Sequence, residues 1–306
     1  MRSIGCAIPD AMEQEVGLIG FGEAGATFAR AGDWTDAAHV FDISTDCEGA
    51  LRDAMLASYA DAGVRPAHRL GDALNGMPLI ISLVTADQAL SVAQIAAQSI
   101  APGAIFCDMN SVAPQTKQAA AQAIEAAGGH YVDVAVMAPV DPARLNVPLL
   151  LSGVQADEAE TRLRALGFGK TRVVGADVGR ASSIKMIRSV MVKGIEALTA
   201  ECVLAAQAAD VLDEVLTSLD ASEKARPWDA RADYNLDRML VHGLRRAAEM
   251  EEVVKTLEGL GTGAALTRGT VARQQAIGAL GVKTPPEGLS AKIGVISVDG
   301  VPARGG

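Results

Sequence analysis

The residues best placed to do chemistry stand near the start of this 306-residue sequence. The run Val16-Gly17-Leu18-Ile19-Gly20-Phe21-Gly22-Glu23-Ala24-Gly25 contains the spacing G-x-G-x-x-G. It follows a short apolar run at 15–20 and opens a small-residue helix at 24–30. In that context the glycines read as a turn that receives a dinucleotide pyrophosphate. Gly20 permits the tight turn, Gly22 leaves room for the phosphates, and Gly25 lets the helix pack closely on the strand. The helix N-terminus adds N–H groups and a partial positive charge, with Phe21, Glu23 and Ala24 in the same turn. Asp42 lies 17 residues after Gly25, at the end of a second apolar run. A carboxylate there accepts hydrogen bonds from both ribose hydroxyls and repels a 2′-phosphate. The expected cofactor is therefore NAD. Neither Ile43 nor Ser44 offers a cation, but Ser44 and Thr45 can hydrogen-bond a phosphate, which keeps NADP as the second choice. The plain alternative is a glycine turn with Asp42 capping a loop.

Other candidates lie further along. Asn110 and Ser111 follow an apolar run at 104–109, at the strand end where open parallel sheets bind ligands. They also fit the cap of a helix begun at Pro114. Leu83, Val84 and Thr85 end the run at 78–85 and are placed along a cofactor, with Thr85 equally suited to an N-cap. Lys185 opens a long helical stretch, and Ser189 at i+4 shares its face. An amine serves as general acid or base when burial or nearby cations lower its pKa; otherwise it is a solvated charge at a helix start. Arg188, Arg245, Arg246 and His242 offer positive charge to an anionic substrate. His39, His68 and His130 show no metal-ligand spacing, so no metal is expected.

The elements that must position these residues follow from periodicity. Short apolar runs at 15–20, 39–43, 78–85, 104–109, 130–136, 149–152 and 171–174 read as strands. Helical spacing at 24–30, 87–99, 114–127 and 157–166 separates several of them. Strands alternating with helices predict an α/β domain with a mostly parallel, Rossmann-type sheet buried on both faces. Beyond 178 no strand pattern appears. Ile184, Ile187, Met191, Ile195, Leu198 and Cys202 form one face of a helix over 179–209, roughly 46 Å long. Helical patterns follow at 211–219, 235–260 and 263–279, and the Gly- and Pro-containing tail from Lys283 reads as partly mobile. The expected division is thus a dinucleotide-binding domain at 1–178 and an all-helical substrate and dimerisation domain at 179–306.

Composition narrows the function classes. A hydrophobic content of 49% supports packed cores and argues against disorder. With net charge −10 and only 3% aromatics, the chain lacks the basic stripe and stacking surface that nucleic acid requires. No apolar stretch approaches 18 residues, so no membrane span is expected. The first fifteen residues carry Asp10, Glu13 and Glu15, and no signal peptide is visible. Cys6, Cys47, Cys107 and Cys202 are widely spaced, as in a protein of a reducing compartment. The expectation is a cytoplasmic protein.

A dinucleotide fingerprint followed by a helical second domain resembles the β-hydroxyacid dehydrogenase superfamily, which includes 3-hydroxyisobutyrate and 6-phosphogluconate dehydrogenases. Three further segments carry the resemblance over about 15–255. Asp108-Met109-Asn110-Ser111-Val112-Ala113-Pro114 is similar to that family's D-x-S-[ST]-x-x-P substrate segment. Asp133-Val134-Ala135-Val136-Met137-Ala138-Pro139 is similar to its D-A-P-V-S-G-G segment, and Gly179 to Lys185 to its catalytic G-x-G-x-x-x-K motif. The resemblance implies Lys185 as general acid/base, with Ser189 where the family has a catalytic Asn. It implies Ser111, Met137, Ala138 and Pro139 at the substrate, to which the charge of Arg188 is added as a further substrate contact. It also implies His242 on the nicotinamide side and a homodimer, while Asn110, which stands where the family has Ser, is placed on the nicotinamide side by its position at the strand end. Met137-Ala138-Pro139 replaces S-G-G, and His242-Gly243-Leu244-Arg245-Arg246 stands where many members have K-D-L. These departures mark a distinct branch with an uncharacterised helical C-terminal domain.

The function so implied is hydride transfer between NAD(P) and a 3-hydroxyacid-like alcohol. Two alternatives remain: an imine reductase-like enzyme, against which Lys185 argues, and a regulatory protein that binds NAD without turnover.

Overall fold

The computed structural model describes residues 15–222 and 225–298; Cys6, Asp10 and Glu13 lie outside these. Two compact units divide after Ser189. The first is built on an eight-stranded sheet: β1 (Val16–Ile19), β2 (Ala38–Phe41), β3 (Arg65–Pro66), β4 (Leu79–Ser82), β5 (Ile105–Asp108), β6 (His130–Val136), β7 (Leu149–Ser152) and β8 (Thr171–Gly175). Their order is β3-β2-β1-β4-β5-β6-β7-β8, with every pairing parallel except β6 with β7. The chain runs outward from β1 to β3 and then crosses back to β4. The switch point therefore lies between β1 and β4, where such sheets open a crevice at the strand ends.

Alternate residues of the strands feed two cores. Leu18, Val40, Ile81 and Val132 join Phe28, Trp34 and Phe168 on one face. On the other, Ile19, Ile80, Phe106 and Tyr131 pack with Leu74, Ala93 and Ile124. Helices cover both faces: α1 (Glu23–Gly32), α2 (Ala50–Ala62), α3 (Leu70–Leu74), α4 (Ala89–Ala96), α5 (Pro114–Ala126) and α6 (Ala156–Ala165). Elements α2, β3 and α3 fall between 43 and 78, where periodicity predicts none. Helix α2 buries only Tyr59 and Ala62, so it carries no wide apolar stripe for a sequence to display. Helix α4 starts at Ala89 with Gln88 as its N-cap, so Thr85 is not a helix cap.

The long helix is α7 (Arg180–Ala208). The division between units falls inside it, eleven residues beyond the expected 178/179 boundary. Its first turn belongs to the sheet unit, with Ala181 and Ser182 buried. The second unit continues with α8 (Leu212–Ser222), α9 (Trp228–Gly259), α10 (Ala265–Gly278) and α11 (Leu289–Val298). Helices α9 and α10 meet at Gly243 and Gly278, where a Cβ on Gly243 would lie 2.4 Å from the Gln274 carbonyl oxygen. The Glu201 carboxylate of α7 accepts from the Leu266 and Thr267 N–H groups at 3.1 and 3.0 Å, joining α7 to the start of α10. The tail expected to be mobile contains α11, tied to α9 by Lys292 Nζ to Asp233 at 2.8 Å. No helix among the described residues is long and apolar enough to cross a membrane.

Candidate active site

The glycine turn lies between β1 and α1, at the switch point. Gly20 has φ +90°, and a Cβ there would sit 2.3 Å from the Leu83 carbonyl oxygen, so only glycine fits. Gly22 is the N-cap of α1 and offers no side-chain cap. The position of its missing Cβ is open for 4 Å around, which is the room a pyrophosphate needs beside uncapped helix N–H groups. A Cβ on Gly25 would meet the Gly20 carbonyl at 2.6 Å, so α1 starts tight against β1.

Asp42 follows β2. Its Oδ2 accepts the Phe21 N–H at 2.7 Å and its Oδ1 accepts the Ser44 N–H at 2.8 Å. One carboxylate thus ties the glycine turn to the 3₁₀ turn at Ile43–Asp46, and the two readings of Asp42, ribose ligand and loop cap, are compatible. Phe21 packs edge-on against Tyr59 at 5.0 Å. Burial and the nearby Asp42 charge hold the Tyr59 hydroxyl protonated well above its ordinary range. These residues fit a dinucleotide: a phosphate cradle, a ribose acceptor and an apolar floor.

A cleft of about 430 Å³ continues from this turn along the ends of β4, β5 and β6. Glu23 and Ala24 of α1 line one end; Leu83, Val84 and Ala86 follow β4. Thr85 does not line it. Its hydroxyl hydrogen-bonds Asp87 and, as the largest influence there, holds that carboxyl below its usual range. Ser111 and Lys185 converge in the cleft, and Lys185 Nζ donates to Ser111 Oγ. Asn110 also lines it, but its side chain clamps the sheet. Its Oδ1 accepts the Val84 N–H at 2.7 Å, and its Nδ2 donates to Ser82 Oγ at 3.0 Å.

The opposite wall is Val136, Ala138, Pro139 and Val140. Here the departure from S-G-G has a physical consequence. The Met137 N–H donates to the Pro148 carbonyl at 2.9 Å, and Pro139 has no N–H. Consecutive backbone donors cannot cradle a carboxylate at this segment. Arg188, one turn beyond Lys185, instead brings its guanidinium to the Met137 carbonyl at 3.4 Å. Ser189 is outside the lining, and its hydroxyl donates to the Lys185 carbonyl at 2.9 Å. His242 lies on α9, in the second unit.

Beneath the cleft is a cluster that periodicity did not reveal. Lys117 of α5 is fully buried; its Nζ meets Asp108 Oδ1 at 2.9 Å and Asp133 Oδ1 at 3.4 Å. The Tyr131 hydroxyl donates to Asp108 Oδ2 at 2.6 Å. Burial, followed by the Asp108 charge, pushes that hydroxyl's pKa far upward. Cys107 beside it is pushed up to about 12, chiefly by burial, which makes it an inert thiol. In the sequence the two aspartates open the substrate-like segments, but nothing local marks Lys117 as their counterion.

Residues 15–168 match the family of the NAD-binding domain of 6-phosphogluconate dehydrogenase, and residues 206–277 match a domain of unknown function, DUF1932. A conserved hypothetical protein from Sinorhizobium meliloti 1021 is 35% identical, covering 93% of this chain and 96% of that chain with TM-score 0.60. A conserved protein of unknown function, structurally similar to 3-hydroxyacid dehydrogenases, is 27% identical over 86% of this chain and 96% of its own, with TM-score 0.56. The Myxococcus stipitatus imine reductase in complex with NADP+ is 18% identical over 87% and 94%, with TM-score 0.68. Its V8 variant in complex with NAD+ is 19% identical over 87% and 93%, with TM-score 0.67. At those identities the reductase shares the fold.

Proposed function

The chain belongs to the family of the NAD-binding domain of 6-phosphogluconate dehydrogenase, and from that premise we propose that it oxidises a 3-hydroxyacid-like alcohol, reversibly, with Lys185 as general acid/base. The observation that carries this reading is the meeting of Lys185 Nζ and Ser111 Oγ in a cleft that begins at the glycine turn. A nicotinamide dinucleotide held by Gly20, Gly22 and Asp42 supplies the hydride acceptor. Lys185 takes the hydroxyl proton in oxidation and returns it in reduction, a role worth typically 10²–10⁴-fold. Ser111 orients the substrate oxygen. Arg188 receives the substrate's anionic end, the task that the 137–139 segment cannot perform. Hydride transfer measured on a panel of 3-hydroxyacids, including 3-hydroxyisobutyrate and 6-phosphogluconate, tests the reading; no turnover with any acid while cyclic imines are reduced would move it to imine reductase. That second reading draws on the imine reductase fold likeness and on the loss of the S-G-G segment.

For the cofactor we infer NAD. The Asp42 carboxylate, held by two N–H groups beside the glycine turn, is the acceptor this reading gives to the ribose hydroxyls, and a 2′-phosphate bound beside it would meet a fixed negative charge. Asp42→Asn is expected to narrow the NAD-over-NADP preference by about tenfold, or about 1.4 kcal/mol. Calorimetric titration with both cofactors checks it, and equal or tighter NADP binding by the unmodified protein would overturn it. The spaced free thiols Cys47, Cys107 and Cys202 favour a reducing, cytoplasmic setting.

The assembly is inferred to be a homodimer. Within its own chain α7 buries the small residues Ala205 and Ala206. Its large apolar stripe is turned outward instead: Ile187 and Val190 are each 71% exposed, and Ile195, Leu198 and Leu204 are exposed as well. A contiguous apolar face of this kind marks an association surface. Light scattering at micromolar concentration is expected to give twice the chain mass, and Leu198→Asp with Leu204→Asp to give the monomer. A monomeric unmodified protein contradicts the assignment.

A further inference from the structure

We propose that Lys117, which does not line the cleft, is a positioning residue that sets the approach of Lys185 to Ser111. Its amine spans the two strands that carry the site. On one side it donates to the Asp108 carbonyl at 2.6 Å and to Asp108 Oδ1 at 2.9 Å. The same Oδ1 accepts the Asn110 N–H at 2.9 Å, which fixes the turn that presents Ser111. On the other side Lys117 faces Asp133, whose Oδ2 accepts the Ser182 N–H at 2.9 Å. Ser152 completes that arm: its hydroxyl donates to Asp133 Oδ2 at 3.3 Å and accepts the Ala181 N–H at 3.0 Å. The first turn of α7 is therefore capped by the sheet, and Lys185 lies one turn beyond Ala181.

The register explains why a cation is needed. Asp108 and Asp133 are directly paired on adjacent parallel strands, and both are buried. Like charges directly opposite one another across a sheet repel. Lys117 removes that repulsion and holds the Ser111 turn and the α7 turn at a fixed separation. Reactive groups need supporting residues that are themselves locked, and a displacement of about 1 Å costs about 10²-fold in rate.

The proposal rests on Lys185 as the acid/base group for its effect on rate, but not for its effect on geometry. Crystal structures of Lys117→Met and of Lys117→Met with Asp133→Asn, solved beside the unmodified protein, read the geometry. The double variant restores the local charge balance, and the introduced amide oxygen still accepts the Ser182 N–H, so it folds if the single variant does not. The expected result is loss of the Lys185 Nζ–Ser111 Oγ contact in both variants. Turnover on the fastest acid of the panel is expected to fall about 10–10²-fold, with NAD affinity within about twofold and the pH profile of kcat displaced. Recovery of melting temperature in the double variant without recovery of kcat separates positioning from stability. An intact contact, or full turnover in the double variant, overturns the proposal. If Lys185→Met is fully active while Lys117→Met still breaks the contact, the catalytic reading fails and the positioning stands.

Discussion

Replacing Lys185 with methionine is expected to lower turnover by about 10²–10⁴-fold, the usual loss when a positioned acid/base group is removed. Methionine keeps much of the apolar stem, so packing at the start of α7 is retained and the amine alone is tested. Dinucleotide affinity should hold, because the glycine turn and Asp42 are on other elements. Lys193→Met, an exposed lysine two turns along, is the control and should change turnover by less than about twofold. Ser189→Ala should stay within about threefold, since that hydroxyl is bonded to the Lys185 carbonyl and does not line the cleft. Steady-state kinetics over a range of pH, with calorimetric NAD titration, make the measurement. A Lys185→Met enzyme with unchanged rate and pH profile would show that Lys185 is not the acid/base group.

The second large effect is expected at Gly20, with Gly22 as its contrast. Alanine at Gly20 must adopt φ +90° and place its Cβ 2.3 Å from the Leu83 carbonyl oxygen. Backbone strain alone costs about 1–3 kcal/mol, and the clash adds to it. For a unit of this size each kcal/mol lowers the melting temperature by about 2–4 °C, so a fall of at least about 5 °C is expected. Alanine at Gly22 meets nothing within 4 Å and has an ordinary φ of −70°. Its melting temperature should stay within about 1 °C, while NAD affinity falls by about tenfold or more because the methyl takes the pyrophosphate's room. Scanning calorimetry with and without NAD separates the two. Full NAD affinity in Gly22→Ala would remove the pyrophosphate from this turn.

Much of the architecture is legible in the amino-acid sequence. Seven of the eight strands and the long helix are visible as apolar runs and three- and four-residue spacing, because each buries a whole face and its residues are close in sequence. The glycine turn was legible for the same reason: its chemistry is carried by six consecutive positions and one acid. Helix α2 was not, since it buries little and shows no stripe. The reach of α7 into the first unit was hidden too, because its first turn is held by Asp133 and Ser152, far away in sequence.

Lys117 shows where sequence alone stops. In Pro114-Gln115-Thr116-Lys117 it is one polar residue among others in a helix start, and lysine at such a place is ordinarily solvated. Only the pairing of β5 with β6 sets two carboxylates side by side under α5 and makes a buried amine stable there. The α7 stripe is the complementary case. The sequence by itself determined that Ile187, Ile195 and Leu198 share one helical face, because 3.6 residues per turn require it. Whether that face turns inward or outward was decided by tertiary packing. Glu201 binds the start of α10 and Ala205 joins the small core, so the large apolar residues are left to solvent in the single chain. Periodicity records which residues lie together on an element; what they lie against depends on contacts between residues distant in sequence.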